Sequence, residues 1–112
     1  MDNFGDFEAF LVELEDPNIL EECVESLVRL VGGTDINDIV KGMMNHLMTN
    51  AVMSNFSMTG RGSTKTAFAD LTISKLIVTA ALKAAEKAGI STTGTQVKKC
   101  IQEHLRYAPF RK

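Results

Sequence analysis

The 112-residue chain has few of the residues that mark special structural classes. It contains two cysteines, two prolines, one tyrosine and no tryptophan. Cys23 and Cys100 stand far apart and form no CxxC pair, so we expect two reduced, buried thiols and no disulfide framework. No apolar run reaches the roughly 18 to 20 residues that cross a bilayer, so we expect no membrane segment.

Signals for export, metal binding and nucleophilic catalysis are also missing. The acidic start MDNFGDFEAF lacks the pattern of a signal peptide, which predicts an intracellular chain. His46 and His104 have no companion at ligand spacing, and neither cysteine lies beside a histidine. We therefore expect no metal, no cofactor, no small-molecule substrate and no enzymatic activity.

The charges are divided between the two halves of the chain, although the net charge is only −2. Residues 1–45 carry eleven acidic and two basic side chains, whereas residues 46–112 carry three acidic and ten basic ones. An acidic face and a basic face, or two copies that pair head to tail, would explain this division. The alternative is two solvated surfaces that merely differ in composition.

Hydrophobic periodicity predicts helices through most of the chain. Asp16 and Pro17 mark one helix start, because aspartate caps free amides and proline suits the first helical position. Gly32 and Gly33 are expected to end that helix in the left-handed conformation that glycine accepts. No segment alternates as a strand. The predicted helices cover residues 4–14, 17–31, 36–48 and 72–88, and Gly89 is expected to end the fourth. A last helix begins at Thr93, whose Gln96 completes a capping box, and stops before Pro109.

These segments predict a single all-α domain over residues 1–112. We expect a compact bundle of four to five helices, with a long glycine-containing loop, residues 49–70, before the fourth. A loop this long in a small domain is usually functional or partly helical. The methionines of the middle third are expected to fill the core, and a soft partner-binding groove is the alternative. They are Met43, Met44, Met48, Met53 and Met58.

The segment SMTGRGSTKTAF, residues 57–68, has the composition of a phosphate-binding loop but not its spacing. Gly60 and Gly62 are two residues apart, two further residues separate Gly62 from Lys65, and no buried strand precedes them. These differences argue against a nucleotide hydrolase. Two interpretations stay open: Arg61 and Lys65 contact an anion, or the glycines only form a tight turn that Phe68 anchors.

The order of these segments resembles a known family. The chain carries VKGMMNHLMTN (40–50), the turn FSMTGRGSTKTAF (56–68) and a capped last helix that ends in LRYAPFR (105–111). This order is similar to the family called domain of unknown function 4806 over about residues 7–111, and the helical order is similar to the BEN domain. The resemblance implies an all-α module of nuclear, chromatin-associated or transposon-derived proteins that binds DNA or partner proteins. It brings no catalytic residue.

Two functional hypotheses compete. The favoured one is a non-catalytic module that self-associates or binds a partner protein, because the second predicted helix carries more apolar positions than one core-facing stripe requires. Those positions are Ile19, Leu20, Leu27, Leu30 and Val31.

The alternative hypothesis is a BEN-like DNA-binding domain that uses the basic second half of the chain. A pI of about 5.6 and a single tyrosine for base stacking argue against it. Its candidate nucleic-acid contacts are Arg61, Lys65, Lys98, Lys99, Arg106, Arg111 and Lys112.

Overall fold

Helices make up most of the described chain. This computed structural model describes residues 4–54, 56–57, 66–68 and 71–107. These residues form five helices of ten residues or more, a single-turn helix and a pair of two-residue strands. The helices are α1 (Phe4–Glu13), α2 (Pro17–Leu30), α3 (Ile36–Leu47), α4 (Asn50–Met53), α5 (Thr72–Ala88) and α6 (Gly94–Tyr107). The predicted all-α bundle is therefore confirmed.

Three of the five long helices, as well as the single-turn α4, begin at side chains that cap free backbone amides. The Asp16 carboxylate accepts a hydrogen bond from the Asn18 amide at 2.9 Å, and Asp35 accepts one from the first turn of α3 at 2.8 Å. At α6, the side chains of Thr93 and Gln96 each accept from the other's backbone amide, at 3.3 and 3.2 Å, which is a capping box. These helix starts follow from local sequence, as predicted.

The end of α2 differs from the prediction. Gly32 and Gly33 do not adopt the left-handed conformation, because Val31 already ends the helix in an extended conformation with φ −113° and ψ 125°. Gly33 instead permits a close approach, since a Cβ at this residue would lie 2.9 Å from the Cβ of Asp38 in α3. Gly89 does end α5 with a positive φ of 74°, as glycine at this position predicts.

The segment between α3 and α5 contains α4 and two short strands. Strand β1 (Phe56–Ser57) pairs in parallel with β2 (Thr66–Ala67). Sequence periodicity gives no sign of this pair, because two residues are too few for alternation to show. Phe68 follows β2 and is fully buried, so it anchors this part of the chain.

Helix α5 lies at the centre of the fold and packs against α2, α3 and α6. Beside it, the Phe56 ring packs between Phe7 and Phe68, with ring centroids 5.1 and 5.5 Å apart, distances typical of favourable aromatic pairs. The radius of gyration is 13.2 Å, and a compact domain of 100 residues is expected to have about 13 Å. Four methionines fill the core, as expected: Met43, Met44, Met48 and Met53.

Candidate interaction groove between α2 and α5

The five apolar residues predicted to form an interface lie mostly inside the molecule. Leu27 is only 2% exposed and belongs to the core, so it is not available to a partner. Ile19, Leu20 and Val31 are half-buried and pack against the same core. Only Leu30, at the end of α2, is largely exposed, at 66%.

The apolar surplus of α2 is explained by contacts on more than one side of the helix. Val31 shows this clearly, because a Cβ at Gly42 of α3 would lie 2.7 Å from a Val31 methyl carbon. The absence of that Cβ lets the end of α2 sit directly on α3. Part of the excess over one core-facing stripe therefore reflects packing of the helix against α5 and of its end against α3, a pattern that sequence alone cannot distinguish from an interface.

A groove runs along the seam between α2 and α5. Three cavities of about 570, 330 and 610 Å³ follow one another along it. The first two share Leu20 and Lys75, and the second and third share Lys83, so the three form one continuous feature. The starts of both helices line its first cavity and their ends line its last, so α2 and α5 run parallel.

The groove has an apolar floor between charged walls. Leu20 and Val28 of α2, together with Leu71, are half-buried and form the accessible part of the floor. The wall on the α2 side carries exposed carboxylates at residues 15, 21 and 25, and the wall on the α5 side carries exposed lysines at residues 75, 83 and 87. We name this feature the α2–α5 groove.

Two side chains interrupt the charge pattern of the α2–α5 groove. Arg29 lies on the acidic wall and Glu86 on the lysine wall, and both line the last cavity. The opposite charges of the two halves of the sequence therefore face each other across this groove. Composition shows Lys75, Lys83 and Lys87 only as part of a basic half, but their spacing in multiples of four indicates one row along a helix.

The predicted nucleic-acid contacts are only partly described. Lys98, Lys99 and Arg106 are exposed on α6. Lys99 and Arg106 are seven residues apart, about two helical turns, so they share one face, whereas Lys98 lies about 100° around the helix. The other four candidates, Arg61, Lys65, Arg111 and Lys112, lie outside the described residues.

A second, smaller pocket of about 260 Å³ lies between α3 and α6. His104, only 4% exposed, lines it, and its Nε2 lies 3.0 Å from Oδ1 of Asn45 across the two helices. Because an amide oxygen only accepts, Nε2 is the donor in this hydrogen bond. His104 therefore packs into the fold, as its position on the apolar face of the last helix predicts.

Both thiols are half-buried, not fully buried as expected, and their surroundings favour the protonated form. Burial, followed by the carboxylates of Glu22 and Glu13, raises the pKa of Cys23 above its ordinary value. Burial, followed by the carboxylate of Glu103, also raises the pKa of Cys100, which lines the α3–α6 pocket. A raised pKa makes a thiol a poorer nucleophile at neutral pH, because the thiolate is the reactive form.

Among the described residues, no cluster of three or more histidine, cysteine or acidic side chains could hold a metal ion. None of the helices in the same part of the chain combines the length and apolarity that a membrane span needs.

Comparisons with protein-family models, curated proteins and solved structures found no match to this chain. They therefore neither support nor refute the resemblance to the domain of unknown function 4806 family or to BEN domains.

Proposed function

We propose that this domain is a non-catalytic protein-interaction module whose docking surface is the α2–α5 groove. The observation that carries the proposal is the apolar floor of Leu20, Val28 and Leu71 between two rows of opposite charge. An amphipathic helix fits such a surface, because apolar residues spaced three and four apart enter the groove while charged flanks meet its walls. The apolar floor supplies affinity, and the charged walls supply specificity.

The setting of this module is proposed on the resemblance alone. Proteins of the resembling family are nuclear and chromatin-associated or transposon-derived, so we propose an intracellular, nuclear role in which the domain recruits a partner protein.

A designed helical peptide tests the groove directly. It carries leucines with three-and-four spacing, arginines along one flank and glutamates along the other. Titrated into isotope-labelled protein, it should shift the backbone amide signals of the α2–α5 groove saturably, because both of its flanks meet opposite charge. A control peptide with the same leucines but glutamates on both flanks should bind much more weakly, since one flank then faces the carboxylates of α2.

Two matched variants assign this binding to the groove. Thr79→Arg places a bulky side chain at an exposed residue that lines the middle of the groove, whereas Thr95→Arg makes the same change at an exposed residue of α6. Binding should be lost in the first variant and kept in the second. Equal binding by both variants, or no binding of the designed peptide at all, would refute the proposed function.

A second candidate function is DNA binding through α6, which is favoured by the shared exposed face of Lys99 and Arg106. If the domain contacts four to six phosphates, a plot of the logarithm of affinity against the logarithm of salt concentration should have a slope of about −4 to −5. The reason is that each neutralised phosphate releases counterions condensed on the DNA. Lys99→Glu with Arg106→Glu should abolish a gel shift at low salt, whereas Lys83→Glu with Lys87→Glu on the groove should not. Absence of any complex for the wild type would exclude this function for the domain.

A further inference from the structure

The charges of the α2–α5 groove are ordered along its length as well as across it. Because the two helices run parallel, residues that line the same cavity lie at the same level. Glu21 is level with Lys75 and Lys83 in the middle cavity. Arg29 is level with Glu86 in the last cavity. Opposite charges occupy opposite walls of the middle cavity, whereas in the last cavity each wall carries both signs, since Arg29 follows Glu25 and Glu86 lies between the two lysines.

This order makes the surface complementary to itself under one symmetry operation. A two-fold axis along the groove, in the plane of the contact, exchanges the left and right walls and keeps every level unchanged. It therefore places α2 of one copy on α5 of the other, and the reverse. We propose that the α2–α5 groove is covered by a second copy of this chain in this arrangement. This inference rests on the proposed function, and it identifies the partner that docks in the groove as a second copy of the chain.

Across this axis the carboxylate row of each copy faces the lysine row of the other. Glu21 of each copy meets the level of Lys75 and Lys83 in the other, and Glu25 meets Lys83 and Lys87. The two interrupting side chains also match, because Arg29 of each copy meets Glu86 of the other. The exceptions in the two rows thus become a further pair of contacts.

The other face-to-face two-fold arrangement is electrostatically unfavourable. An axis in the same plane but across the groove places α2 on α2 and α5 on α5, with their directions reversed. Carboxylates at residues 21 and 25 would then meet the same carboxylates, and the α5 lysines would meet lysines. Facing like charges disfavour an interface strongly, so the charge pattern selects the axis along the groove.

The apolar floor completes the contact. In the proposed dimer, α2 and α5 of both copies form a four-helix arrangement, and the half-buried Leu20, Val28 and Leu71 of each copy face its centre. The carboxylates and lysines flank this centre, as charged residues flank the apolar seam of helical bundles, where they set partner choice and orientation.

Charge exchange tests the arrangement. The first variant, E21K/E25K, makes the α2 wall basic, and the second, K75E/K83E, makes the α5 wall acidic. The third variant combines all four substitutions in one chain and restores the net charge of the wild type. Glutamate and lysine have similar helix propensity and all four residues are exposed, so each variant should fold, which circular dichroism and thermal melting check.

The dimer constant is measured by sedimentation equilibrium at up to about 100 µM protein, a range that reveals dimers with a Kd of similar size. The wild type and the fourfold variant should dimerise, because opposite charges face each other in both. Each double variant alone should show a Kd raised by about tenfold or more, since like charges then face each other, and an equimolar mixture of the two should dimerise again.

The double variants distinguish the two axes, because if α2 lay on α2 like charges would face each other in them just as in the wild type, and their dimerisation would not weaken. Salt provides a second readout: dimerisation should weaken between about 0.05 and about 0.5 M salt as the charges are screened. A monomeric wild type, or double variants that dimerise as well as the wild type, would overturn the inference. The designed peptide tests the proposed function independently, since a monomer that binds it would still be an interaction module.

Discussion

The α2–α5 and α3–α6 seams both join helices that are distant in sequence, but different chemistry holds each of them. A 3.0 Å hydrogen bond between His104 and Asn45, 59 residues apart, crosses the α3–α6 seam beside a small pocket. The α2–α5 seam has a longer groove with a half-buried apolar floor and facing rows of charge. A directional hydrogen bond adds to the apolar packing of one pair of helices, whereas the other pair leaves a groove that we propose recognises another helix.

The difference matters because the two kinds of contact contribute differently to folding. A hydrogen bond to a buried side chain such as His104 is costly to break, since that polar group keeps its desolvation penalty. Exposed charges in rows contribute little to folding, and they act mainly on the rate and specificity of association. The α3–α6 seam is therefore expected to govern stability more than the α2–α5 walls do.

The largest effect is expected at α5, which forms one side of the α2–α5 seam and also packs against both helices of the other seam. Ile77 is fully buried, so Ile77→Ala should lower the free energy of unfolding by about 2–5 kcal/mol through lost burial and the cavity it leaves. The half-buried neighbour Val78 provides the control, and Val78→Ala should cost less. Urea denaturation measures both changes. Equal losses for the two variants would contradict the central position of α5.

The next effect distinguishes the two seams. Asn45→Ala removes the acceptor facing His104 and should lower the free energy of unfolding by about 1–3 kcal/mol. Lys83→Ala, on the wall of the α2–α5 groove, should change it by about 0–1 kcal/mol. Asn37→Ala, at an exposed position on the same helix as Asn45, is the matched control. Chemical denaturation measures the free energy of unfolding of the three variants. A larger loss for Lys83→Ala than for Asn45→Ala would contradict the expected difference between the two seams.

A smaller effect is expected where α2 meets α3. Alanine is favoured over glycine inside a helix by about 0.5–1 kcal/mol, but a Cβ at residue 42 would lie 2.7 Å from a Val31 methyl carbon. Gly42→Ala should therefore fail to stabilise the wild type and should stabilise the Val31→Ala variant by about that amount. Thermal melting of the four chains completes the cycle, and equal effects in both backgrounds would show that the close approach does not matter.

The smallest effect concerns the reactivity of the two thiols. Since folding raises the pKa of Cys100, its contribution to stability is present below the unfolded pKa and is lost as pH rises through the folded pKa. Glu103→Gln removes one cause of the raised pKa of Cys100, so alkylation of this thiol at about pH 8 should become faster. The expected increase is less than tenfold, since a tenfold change corresponds to about one pKa unit. Cys23 is the internal control, and acceleration at both thiols would indicate loosening of the fold instead.

Local sequence was sufficient to predict where most helices begin and end. The caps at Asp16 and Thr93 and the left-handed Gly89 act within a few residues of themselves, so their signals survive without any knowledge of the fold. The apolar stripes likewise identified the core, including four of the methionines. The end of α2 was mispredicted because the close approach of α3, not a left-handed turn, accounts for Gly33.

The candidate site was much less predictable. Of the five residues expected at an interface, only Leu20 lines the α2–α5 groove, and Leu27 is in the core. Periodicity measures how much of a helix is apolar, but it cannot say whether a second helix of the same chain already covers that surface.

The pairing of the charges depends on which helices become neighbours. The acidic and basic halves of the chain are plain in its composition, but the carboxylates of α2 lie across one groove from the lysines of α5 only because these two helices pack side by side in parallel. His104 and Asn45 meet for the same kind of reason. Capping and periodicity are interactions over one or two helical turns, whereas these contacts join residues some fifty or more positions apart, and long-range packing brings them together.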